Sequence, residues 1–533
     1  MIGLVAAGAL CGWGLTFLLE RSLEPRPRLA GRPLAAHAVH LGIWLFVFGG
    51  LVLVVRRPLL AMVLAVLSWL PVVLVSNAKQ RSLREPLVVT DLPFVSFAFR
   101  HPRLYVPFLG ASRVALFSVA AACVAVGAWF LIRFWPAPAD WPGYLPLAAA
   151  LWAPAAILLW VGSRRSDPPT LDPAADLQRW GMAASLWLYR RAEKRRVLVR
   201  PRSPFESGAT GARGSALPDI VAVQSESFFD ARRLFPGVRD DVLEHFDALR
   251  PAAVAEGRLF VPAWGANTVR TEFSFLSGLA NESLGVDRLN PYRALATLPV
   301  PTIASYLRAL GYRTVCIHPY PATFYGRDRV FPALGFDEFL DLRSFGGAST
   351  FGPYVSDASV ADKIVDAVGD GGRPAFVFVI TMENHGPLHL ESVAAGEVAE
   401  YFREAPAESS PIARELAVYL RHLKNADRML ERLTSWMAGR PRPGALCFYG
   451  DHVPIMPEVW ETAGDCDGAT DYILWRTGPA AGGRREDVSV ERLGVMLLES
   501  AGVLAAAPPA PVGQAADGPY DPSERSRDPS LAK

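Results

Sequence analysis

The sequence has few of the features that mark disulfide-rich, disordered or nucleic-acid-binding proteins. Its 533 residues include only five cysteines, which is too few for a disulfide scaffold. Lysine and arginine (54) nearly balance aspartate and glutamate (52), so a net charge of +2 gives no bulk attraction to nucleic acid. Charged residues make up 20% of the chain and hydrophobic residues 51%, which excludes a disordered protein. A mean hydropathy of +0.20 indicates that part of the chain lies in lipid.

Long apolar runs fill the first third of the chain. Each is close to the roughly 20 residues that a helix needs to cross a bilayer, and each is apolar on all sides, unlike an amphipathic core helix. The first run has no basic residues before it, so we expect a retained span and not a cleaved signal peptide. We predict a membrane domain over residues 1–163 with about five transmembrane helices, at residues 2–19, 34–55, 58–76, 114–132 and 144–162.

The composition changes twice after the membrane domain. Residues 164–218 are charged and proline-rich, with a Gly/Ser patch at 207–215, and are predicted to form a juxtamembrane linker. Residues 177–195 mix tryptophan and leucine with basic residues, which suits either a helix on anionic lipid or an ordinary solvated amphipathic helix. Residues 219–503 have the composition of a globular domain, and residues 504–533 are predicted to be a disordered tail.

Four short runs in the globular domain have the composition of buried strands. They cover residues 220–224, 314–317, 375–380 and 445–449, with room for helices between them. This pattern predicts an α/β domain with a mostly parallel central sheet. Ligands of such sheets bind at the carboxyl ends of the strands. Each of these four ends carries a metal- or proton-competent side chain, namely Glu226, His318, His385 and the pair Asp451–His452.

Three of these side chains are candidate ligands of one metal ion. Glu226, Asp451 and His452 supply two carboxylates and one imidazole, which suit Mn²⁺, Mg²⁺ or Zn²⁺ but not a thiolate-loving metal. Adjacent residues of a regular strand point to opposite faces, so Asp451 and His452 can share an ion only where the backbone turns. Gly450 and Pro454 fit that turn. An isolated Asp-His pair would be interpreted as a surface turn. Because this pair follows a buried strand, a metal site is the favoured interpretation.

A candidate nucleophile lies in the stretch 265–273. Gly and Asn before an apolar-periodic stretch predict a loop that leads into a helix, with Asn267 as the N-cap and Thr268 in the first turn. The helix dipole and a nearby divalent cation would both favour an alkoxide at Thr268. Taken alone, this stretch favours Thr268 or Thr271 as a capping residue only.

Four motifs follow one another in the globular domain. They are Gln-Ser-Glu-Ser-Phe at 224–228, Asn-Thr-Val-Arg-Thr-Glu-Phe at 267–273, Thr-Met-Glu-Asn-His at 381–385 and Tyr-Gly-Asp-His at 449–452. Their order and spacing resemble the lipoteichoic acid synthase and phosphoglycerol transferase family, within the alkaline phosphatase/sulfatase superfamily. The likeness covers about residues 219–503, and the preceding apolar runs match the family's architecture.

The resemblance implies a membrane-anchored extracytoplasmic enzyme that takes glycerol phosphate from phosphatidylglycerol. Thr268 would attack phosphorus, release diacylglycerol and carry glycerol phosphate until a glycan or polyglycerolphosphate hydroxyl accepts it. The matching motifs imply one Mn²⁺, with Mg²⁺ or Zn²⁺ as alternatives, held by Glu226, Thr268, Asp451 and His452. They also imply substrate contacts from Arg327, His385, His318 and Tyr325, the last at a position where the family often has tryptophan.

Three other interpretations stay open. A phosphoethanolamine transferase shares the fold, a threonine nucleophile and a membrane anchor, but its outer domain is typically stabilised by disulfides, whereas this one has only Cys316, Cys447 and Cys466. A sulfatase hydrolase would carry a Cys/Ser-x-Pro-x-Arg pattern, which Thr268 and its neighbours do not match. The third is a non-catalytic membrane sensor or scaffold, against which the intact set of candidate ligands argues.

The basic residues conflict with an extracytoplasmic domain. They follow the first, third and fifth apolar runs, and the positive-inside rule would place all three segments, and the domain after them, in the cytoplasm. A re-entrant segment within residues 86–99 would change the parity of the spans. The acceptors implied by the resemblance are extracytoplasmic. We therefore expect a bacterial inner-membrane protein with its catalytic domain in the periplasm.

Overall fold

The N-terminal part of the chain is a bundle of long apolar helices. The structure, a computed structural model, describes residues 2–94, 102, 106–134, 143–196, 202–206, 217–295, 298, 300–464 and 466–504. The helices of this part are α1 (Ile2–Glu20), α2 (Leu34–Val55), α3 (Pro58–Leu67), α4 (Trp69–Leu83), α5 (Val106–Leu109), α6 (Ala111–Phe134) and α7 (Tyr144–Arg165).

Four segments within the described residues are long and apolar enough to cross a membrane. They are α1, α2, the stretch Pro58–Leu83 formed by α3 and α4, and α7. Four of the predicted runs are thereby confirmed as apolar helices, and the third is longer than predicted because it continues to Leu83. The run predicted at 114–132 forms α6, whose side chains are described only in part. A total of about five crossings therefore stays a prediction.

Small residues bring α2 and α7 into close contact. A Cβ atom on Gly162 would lie 2.8 Å from the carbonyl oxygen of Ala35, and one on Gly42 would lie 2.8 Å from Cγ of Leu159. The two backbones can approach this closely only because these positions lack side chains. Packing through small residues is the usual source of helix association in a lipid environment.

The basic segments converge at the end of the bundle that faces the C-terminal domain. Arg81 of α4 donates to both carboxylate oxygens of Glu24, in the α1–α2 connection, at 3.0 and 2.9 Å. Arg32 pairs with Glu20 at 2.6 Å. Lys79 of α4 pairs with Glu85 and Asp91, so part of the positive charge is neutralised locally.

The predicted linker contains two helices. They are α8 (Pro173–Trp180) and α9 (Met182–Arg195), so the prediction of one helix over 177–195 is wrong. The break is at Gly181, whose φ is 76° and where a Cβ would lie 2.1 Å from Nη2 of Arg32. Trp180, Ala184 and Leu188 pack on α2 and are buried, so this face lies against protein and not on open lipid.

Several predicted segments fall wholly or partly outside the described residues. Of the possible re-entrant stretch 86–99, Val89–Phe94 forms a 3₁₀ turn, and residues 95–99 are not among those described. The Gly/Ser patch at 207–215 and the tail beyond residue 504 also lie outside them.

The C-terminal domain is built on a mixed, mostly parallel sheet. Its helices are α10 (Glu244–Leu249), α11 (Thr268–Ser277), α12 (Pro291–Leu295), α13 (Ile303–Ala309), α14 (Arg327–Ala333), α15 (Asp357–Val368), α16 (Pro411–Ala438), α17 (Pro457–Thr462) and α18 (Val490–Ser500). Its strands are β1 (Asp219–Ser225), β2 (Ala255–Phe260), β3 (Arg313–Ile317), β4 (Glu338–Leu340), β5 (Thr350–Phe351), β6 (Tyr354–Val355), β7 (Ala375–Ile380), β8 (Gly444–Gly450), β9 (Thr470–Arg476), β10 (Arg484–Arg485) and β11 (Val488–Ser489).

The sheet order places the four predicted strands side by side. The order is β10-β2-β9-β8-β1-β7-β3-β4, with β11 also on β2, and β5 and β6 form a separate hairpin. The pairs β8–β1, β1–β7 and β7–β3 are parallel, whereas β9 runs antiparallel to both β8 and β2. The predicted fold class is confirmed. The carboxyl ends of β8, β1, β7 and β3 therefore meet at one edge of the sheet.

Both faces of the sheet are covered, as their apolar composition predicts. Successive residues of a strand point to opposite faces, so Val221 and Val223 of β1 enter one core with α15 and α16. Ile220 and Ala222 enter the other core, with α11, α13 and α18. Helix α13 begins after Thr302 with a capping box to Ser305. This double cover leaves the strand ends as the place where polar groups gather.

Candidate active site and metal centre

Glu226, Asp451 and His452 form one buried cluster at the strand ends. One ligand atom from each lies within 4.8 Å of those of the other two. Nε2 of His452 is 3.2 Å from Oδ2 of Asp451 and 3.8 Å from Oε1 of Glu226. Glu226 follows β1, and the other two follow β8, which is the neighbour of β1. The three predicted metal ligands are therefore brought together by sheet pairing.

The turn after β8 depends on glycine. A Cβ on Gly450 would lie 1.9 Å from the carbonyl oxygen of Phe228, a distance that no side chain can occupy. The carbonyl of Gly450 accepts a hydrogen bond from Oγ1 of Thr470 at 2.8 Å. The amide of Ser227 donates to Oδ1 of Asp451 at 3.0 Å. These contacts turn the chain so that Asp451 and His452, although adjacent, both face Glu226.

The cluster fits a divalent cation. Oδ2 of Asp451 is buried and receives no hydrogen bond within the described part of the chain. Burial raises the pKa of Glu226, and the nearby Asp451 carboxylate raises it further. Two close carboxylates with an unsatisfied buried oxygen are costly unless a positive charge joins them. Two oxygen donors and one imidazole suit Mn²⁺, Mg²⁺ or Zn²⁺.

Thr268 lies next to this cluster, as the first residue of α11. Its Oγ1 is 3.4 Å from Nε2 of His452. The predicted capping role of Asn267 is wrong, because Asn267 has a φ of 64° and its side chain makes no capping hydrogen bond. Thr271, the alternative hydroxyl, donates to the backbone carbonyl of Asp451 at 2.9 Å. Of the two hydroxyls, Thr268 is the one directed at the candidate metal ligands.

Arg327 is fully buried and held by a carboxylate. Its Nη2 pairs with Oε1 of Glu272, and its Nε donates to Oε2 at 3.3 Å. The hydroxyl of Tyr292 donates to the same carboxylate at 2.6 Å. The ring of Tyr325 lies under the guanidinium, with 5.2 Å between Cζ and the ring centroid. The site therefore contains a guanidinium whose position is fixed by buried neighbours.

His318 contacts Arg327 from the other side. Its Nε2 is 3.3 Å from Nη1 of Arg327, and its Nδ1 is 3.1 Å from the carbonyl oxygen of Ile380. Burial, and then the Arg327 charge, lower the pKa of His318 well below its usual range. The neutral ring can donate from Nδ1 and accept at Nε2, which satisfies both contacts. His318 thus orients Arg327 in this arrangement.

His385 follows β7 at the rim of the site. Its Nδ1 is 2.8 Å from the carbonyl oxygen of Gly386, and its ring stands edge-on to Tyr354 at 5.6 Å. Burial lowers the pKa of His385, while the Gly386 carbonyl and the Asp451 carboxylate act in the opposite direction.

Sequence reasoning missed the residues that support this site. Glu272 lies inside the motif at 267–273 but received no role, although a buried Arg327 requires an anionic partner. Ser227 donates to Oε1 of Glu226 at 2.8 Å, and Thr381 accepts from the Glu226 amide at 2.9 Å. Both lie within quoted motifs, so their closeness to predicted ligands was the available signal.

The C-terminal domain is the part of the chain that matches known proteins most widely. The family model described as Sulfatase matches residues 218–503, which is more than half of the chain. A protein of Rhizobium meliloti (strain 1021), named for cyclic beta-1,2-glucan modification, is 30% identical over 272 residues, 51% of this chain and 40% of that protein. The match thus spans less than half of that relative. The capsular polysaccharide biosynthesis protein RkpI of the same strain is 29% identical over 459 residues, 80% of this chain and 79% of RkpI.

Two solved structures are similar to this chain at low identity and with TM-scores below 0.5. The Streptococcus pyogenes phosphoglycerol transferase GacH, in complex with sn-glycerol-1-phosphate, is 22% identical with a TM-score of 0.45, covering 54% of this chain and 76% of GacH. The integral membrane lipooligosaccharide phosphoethanolamine transferase A (EptA) of Neisseria meningitidis is 11% identical with a TM-score of 0.49, covering 89% of this chain and 95% of EptA. At these levels the similarity assigns no substrate.

Proposed function

The chain belongs to the sulfatase family, and on this premise we propose that it is a membrane-bound phosphoglycerol transferase. It takes glycerol phosphate from phosphatidylglycerol and passes it to a glycan or polyglycerolphosphate hydroxyl through a threonine-bound intermediate. The observation that carries the proposal is the contact of Thr268 with the buried cluster of Glu226, Asp451 and His452. The motif resemblance supports phosphatidylglycerol as the donor.

The candidate ligands are Glu226, Asp451, His452 and the hydroxyl of Thr268. When bound there, a divalent cation such as Mn²⁺ would favour ionisation of the threonine hydroxyl and offset charge on phosphate oxygens. The protein's contribution is to hold three buried ligands and the partly buried Thr268 hydroxyl in a preorganised position. Ser227, Thr381 and Thr271 do this by hydrogen bonds to the ligands or their backbone.

The reaction divides into two displacements at one phosphorus. In the first, the Thr268 hydroxyl loses its proton and Oγ1 forms a bond to phosphorus. The bond to the diacylglycerol oxygen breaks, and that oxygen takes up a proton as diacylglycerol leaves. In the second, an acceptor hydroxyl loses its proton and attacks the same phosphorus. The bond to Oγ1 then breaks and Oγ1 takes up a proton, which regenerates the Thr268 hydroxyl and completes the transfer.

The remaining predicted residues would orient the substrate. A guanidinium is well shaped to bind two phosphate oxygens, and Arg327 is held by Glu272 and His318 so that it need not reorganise when substrate binds. His385 at the rim is placed to contact the glycerol hydroxyls. Tyr325 supports Arg327 from below the guanidinium plane.

We place the enzyme in a bacterial inner membrane with the catalytic domain in the periplasm. The Lys/Arg count argues against this location, but the positive-inside rule is a bias set mainly by short loops and the first spans. Three of the basic residues also pair with carboxylates of this chain. The glycan and polymer acceptors are extracytoplasmic, and the lipid donor accounts for a membrane domain joined to the catalytic one.

Turnover of defined lipids by the purified full-length protein tests the proposal. Vesicles would contain headgroup-labelled phosphatidylglycerol or, separately, phosphatidylethanolamine, with Mn²⁺ present. We expect diacylglycerol release and label on Thr268 with phosphatidylglycerol only, and neither with Thr268→Ala. Release from phosphatidylethanolamine alone would instead identify a phosphoethanolamine transferase. Absence of release from both lipids, with a folded and metal-loaded protein, would contradict a transferase of either kind.

A further inference from the structure

Polar side chains at the start of helix α11 reach three parts of the molecule. Thr268 contacts His452 and Thr271 donates to the backbone of Asp451, both in the turn after β8, whereas Glu272 binds Arg327 of α14. Arg270 is the fourth polar side chain of this short stretch, and it reaches in none of these directions. It extends to the segment that follows the membrane helix α4.

The partner of Arg270 is Glu85, two residues after α4 ends. Nη1 and Nη2 of Arg270 donate to Oε2 and Oε1 of Glu85 at 2.8 and 3.0 Å, which is a bidentate pair. Nε of Arg270 donates to the carbonyl oxygen of Leu289 at 3.2 Å. The two side chains are only 9% and 13% exposed, so water screens the pair weakly. All three donor positions of the guanidinium are therefore used to fix α11.

Membrane helix α4 contributes to the same network. Nζ of Lys79 is 2.5 Å from Oε1 of Glu85 and 2.7 Å from Oδ2 of Asp91, in the 3₁₀ turn after α4. The two cationic side chains, Lys79 and Arg270, thus neutralise the carboxylates of Glu85 and Asp91, and all four side chains are at most 18% exposed. Burial alone would raise the pKa of Glu85, but Arg270 and Lys79 outweigh it and lower the pKa to about 2. Glu85 is consequently an anion whenever the enzyme works near neutral pH.

We propose that Glu85 is a positioning residue, which acts through Arg270 to set where the hydroxyl of Thr268 stands relative to the metal ligands. The membrane segment then forms part of the catalytic apparatus and is more than an anchor. The assignment of Thr268 as nucleophile rests on the proposed function. The placement of α11 by Glu85 rests on the contacts of Arg270 alone.

Matched variants of the full-length protein separate this role from general anchoring. Glu85→Gln keeps the size and one acceptor oxygen but removes the charge, and Arg270→Lys keeps the charge but loses the bidentate geometry. Glu24→Gln is the control, because the Glu24–Arg81 pair also joins two segments at this end of the bundle but is 45% and 43% exposed. Each variant is checked for bound metal and for overall thermal stability.

The first readout is amide hydrogen exchange of the peptide that contains α11, which needs no substrate. We expect exchange in Glu85→Gln to be faster by about tenfold at the start of α11, with the central strands unchanged.

The second readout is kinetic. We expect kcat to fall about 10- to 100-fold with KM and metal content unchanged, since a small misplacement of a reacting group is costly. For Arg270→Lys we expect exchange of α11 and kcat to lie between those of the wild type and Glu85→Gln. Glu24→Gln should match the wild type in both.

Two results would overturn the positioning role. One is exchange of α11 and kcat in Glu85→Gln within about twofold of the wild type. The other is faster exchange throughout the domain with loss of metal, which would show a purely structural contact. Thr268-dependent cleavage of a soluble chromogenic phosphodiester is measured in parallel. If the wild type cleaves only that ester and not phosphatidylglycerol, while Glu85→Gln still loosens α11, the positioning role stands and the proposed donor is wrong.

Discussion

Oγ1 of Thr268 lies 3.4 Å from Nε2 of His452, although 184 residues separate them in the chain. The contact joins the first turn of a helix to the end of a central strand. It places the candidate nucleophile against the same imidazole edge that faces the Asp451 and Glu226 carboxylates. One position can therefore hold a cation between the hydroxyl and the carboxylates.

Thr268→Ala should abolish transfer and leave the fold intact. Removing a covalent nucleophile costs roughly three or more orders of magnitude in kcat in other enzymes, and Thr268 makes no other side-chain hydrogen bond that the fold needs within the described residues. Diacylglycerol release would be measured with thermal stability as the control, and Thr268→Ser should retain part of the rate. Activity above about a tenth of the wild-type value would point to another hydroxyl or to water.

One divalent ion should bind per chain. Asp451→Ala or His452→Ala would remove a ligand and leave the other buried groups with fewer donors, so the ion should be lost. Elemental analysis of the purified full-length protein measures this, and His389→Ala, at a partly exposed histidine outside the cluster, is the control. Two tightly bound ions per chain would contradict a single-metal site.

Glu272→Gln should destabilise the domain strongly. It leaves the Arg327 guanidinium buried without its anion, and breaking a buried pair in this way costs about 3–5 kcal/mol. The matched control is Glu338→Gln, whose partner Arg313 is 34% exposed and which is itself 45% exposed, so the loss of this pair should cost no more than about 1 kcal/mol. Denaturant unfolding followed by tryptophan fluorescence compares the two. Equal stabilities would show that Arg327 finds another partner.

Replacement of His422 should have a pH-dependent effect on stability. Burial alone would lower the pKa of His422, but Glu383 at 3.1 Å and Glu391 at 3.2 Å raise it above its ordinary value of 6.5. A raised pKa in the folded state stabilises the fold fully below that ordinary value, and the stabilisation is lost as pH rises through the folded-state pKa. The stability difference between wild type and His422→Gln should thus be larger at about pH 5.5 than at about pH 9. A difference that grows with pH would show that His422 is neutral in the fold.

Reporter fusions should place the catalytic domain outside the cytoplasm. Alkaline phosphatase fused after Val503 should be active, and a fluorescent protein that folds only in the cytoplasm should be dark at the same site. The reverse pattern would overturn the proposed compartment and with it the access to extracytoplasmic acceptors. A fusion at the N-terminus tests the parity, since five crossings put the two ends on opposite sides.

The strands and the metal set could be predicted because they depend on local features of the sequence. Buried parallel strands are continuous apolar runs, and the residues that follow them meet at one edge whatever the details of packing. Glu226, Asp451 and His452 follow directly from this rule. The glycine and asparagine before Thr268 predict a helix start there, whereas its role as nucleophile is implied by the motif resemblance.

The supporting contacts could not be predicted in this way. Glu272 and Arg327 are 55 residues apart, and Glu85 and Arg270 are 185 apart. The packing of α11, α14 and the end of α4 decides which carboxylate reaches a given guanidinium. The pattern of apolar residues in the sequence contains no information about that choice. The break at Gly181 has the same origin, because it makes room for the Arg32–Glu20 pair from another part of the chain.

The central sheet ends in very short strands. Its outermost members are β10, with two residues, and β4, with three. Unpaired backbone at a sheet edge can recruit a strand from another molecule, and short edge strands offer too few hydrogen-bonding groups to do so. Chains tethered to one bilayer meet repeatedly in the same orientation, which makes such recruitment a particular hazard for them. The short edge strands therefore allow many copies of this domain to lie close together on a membrane without pairing into an intermolecular sheet.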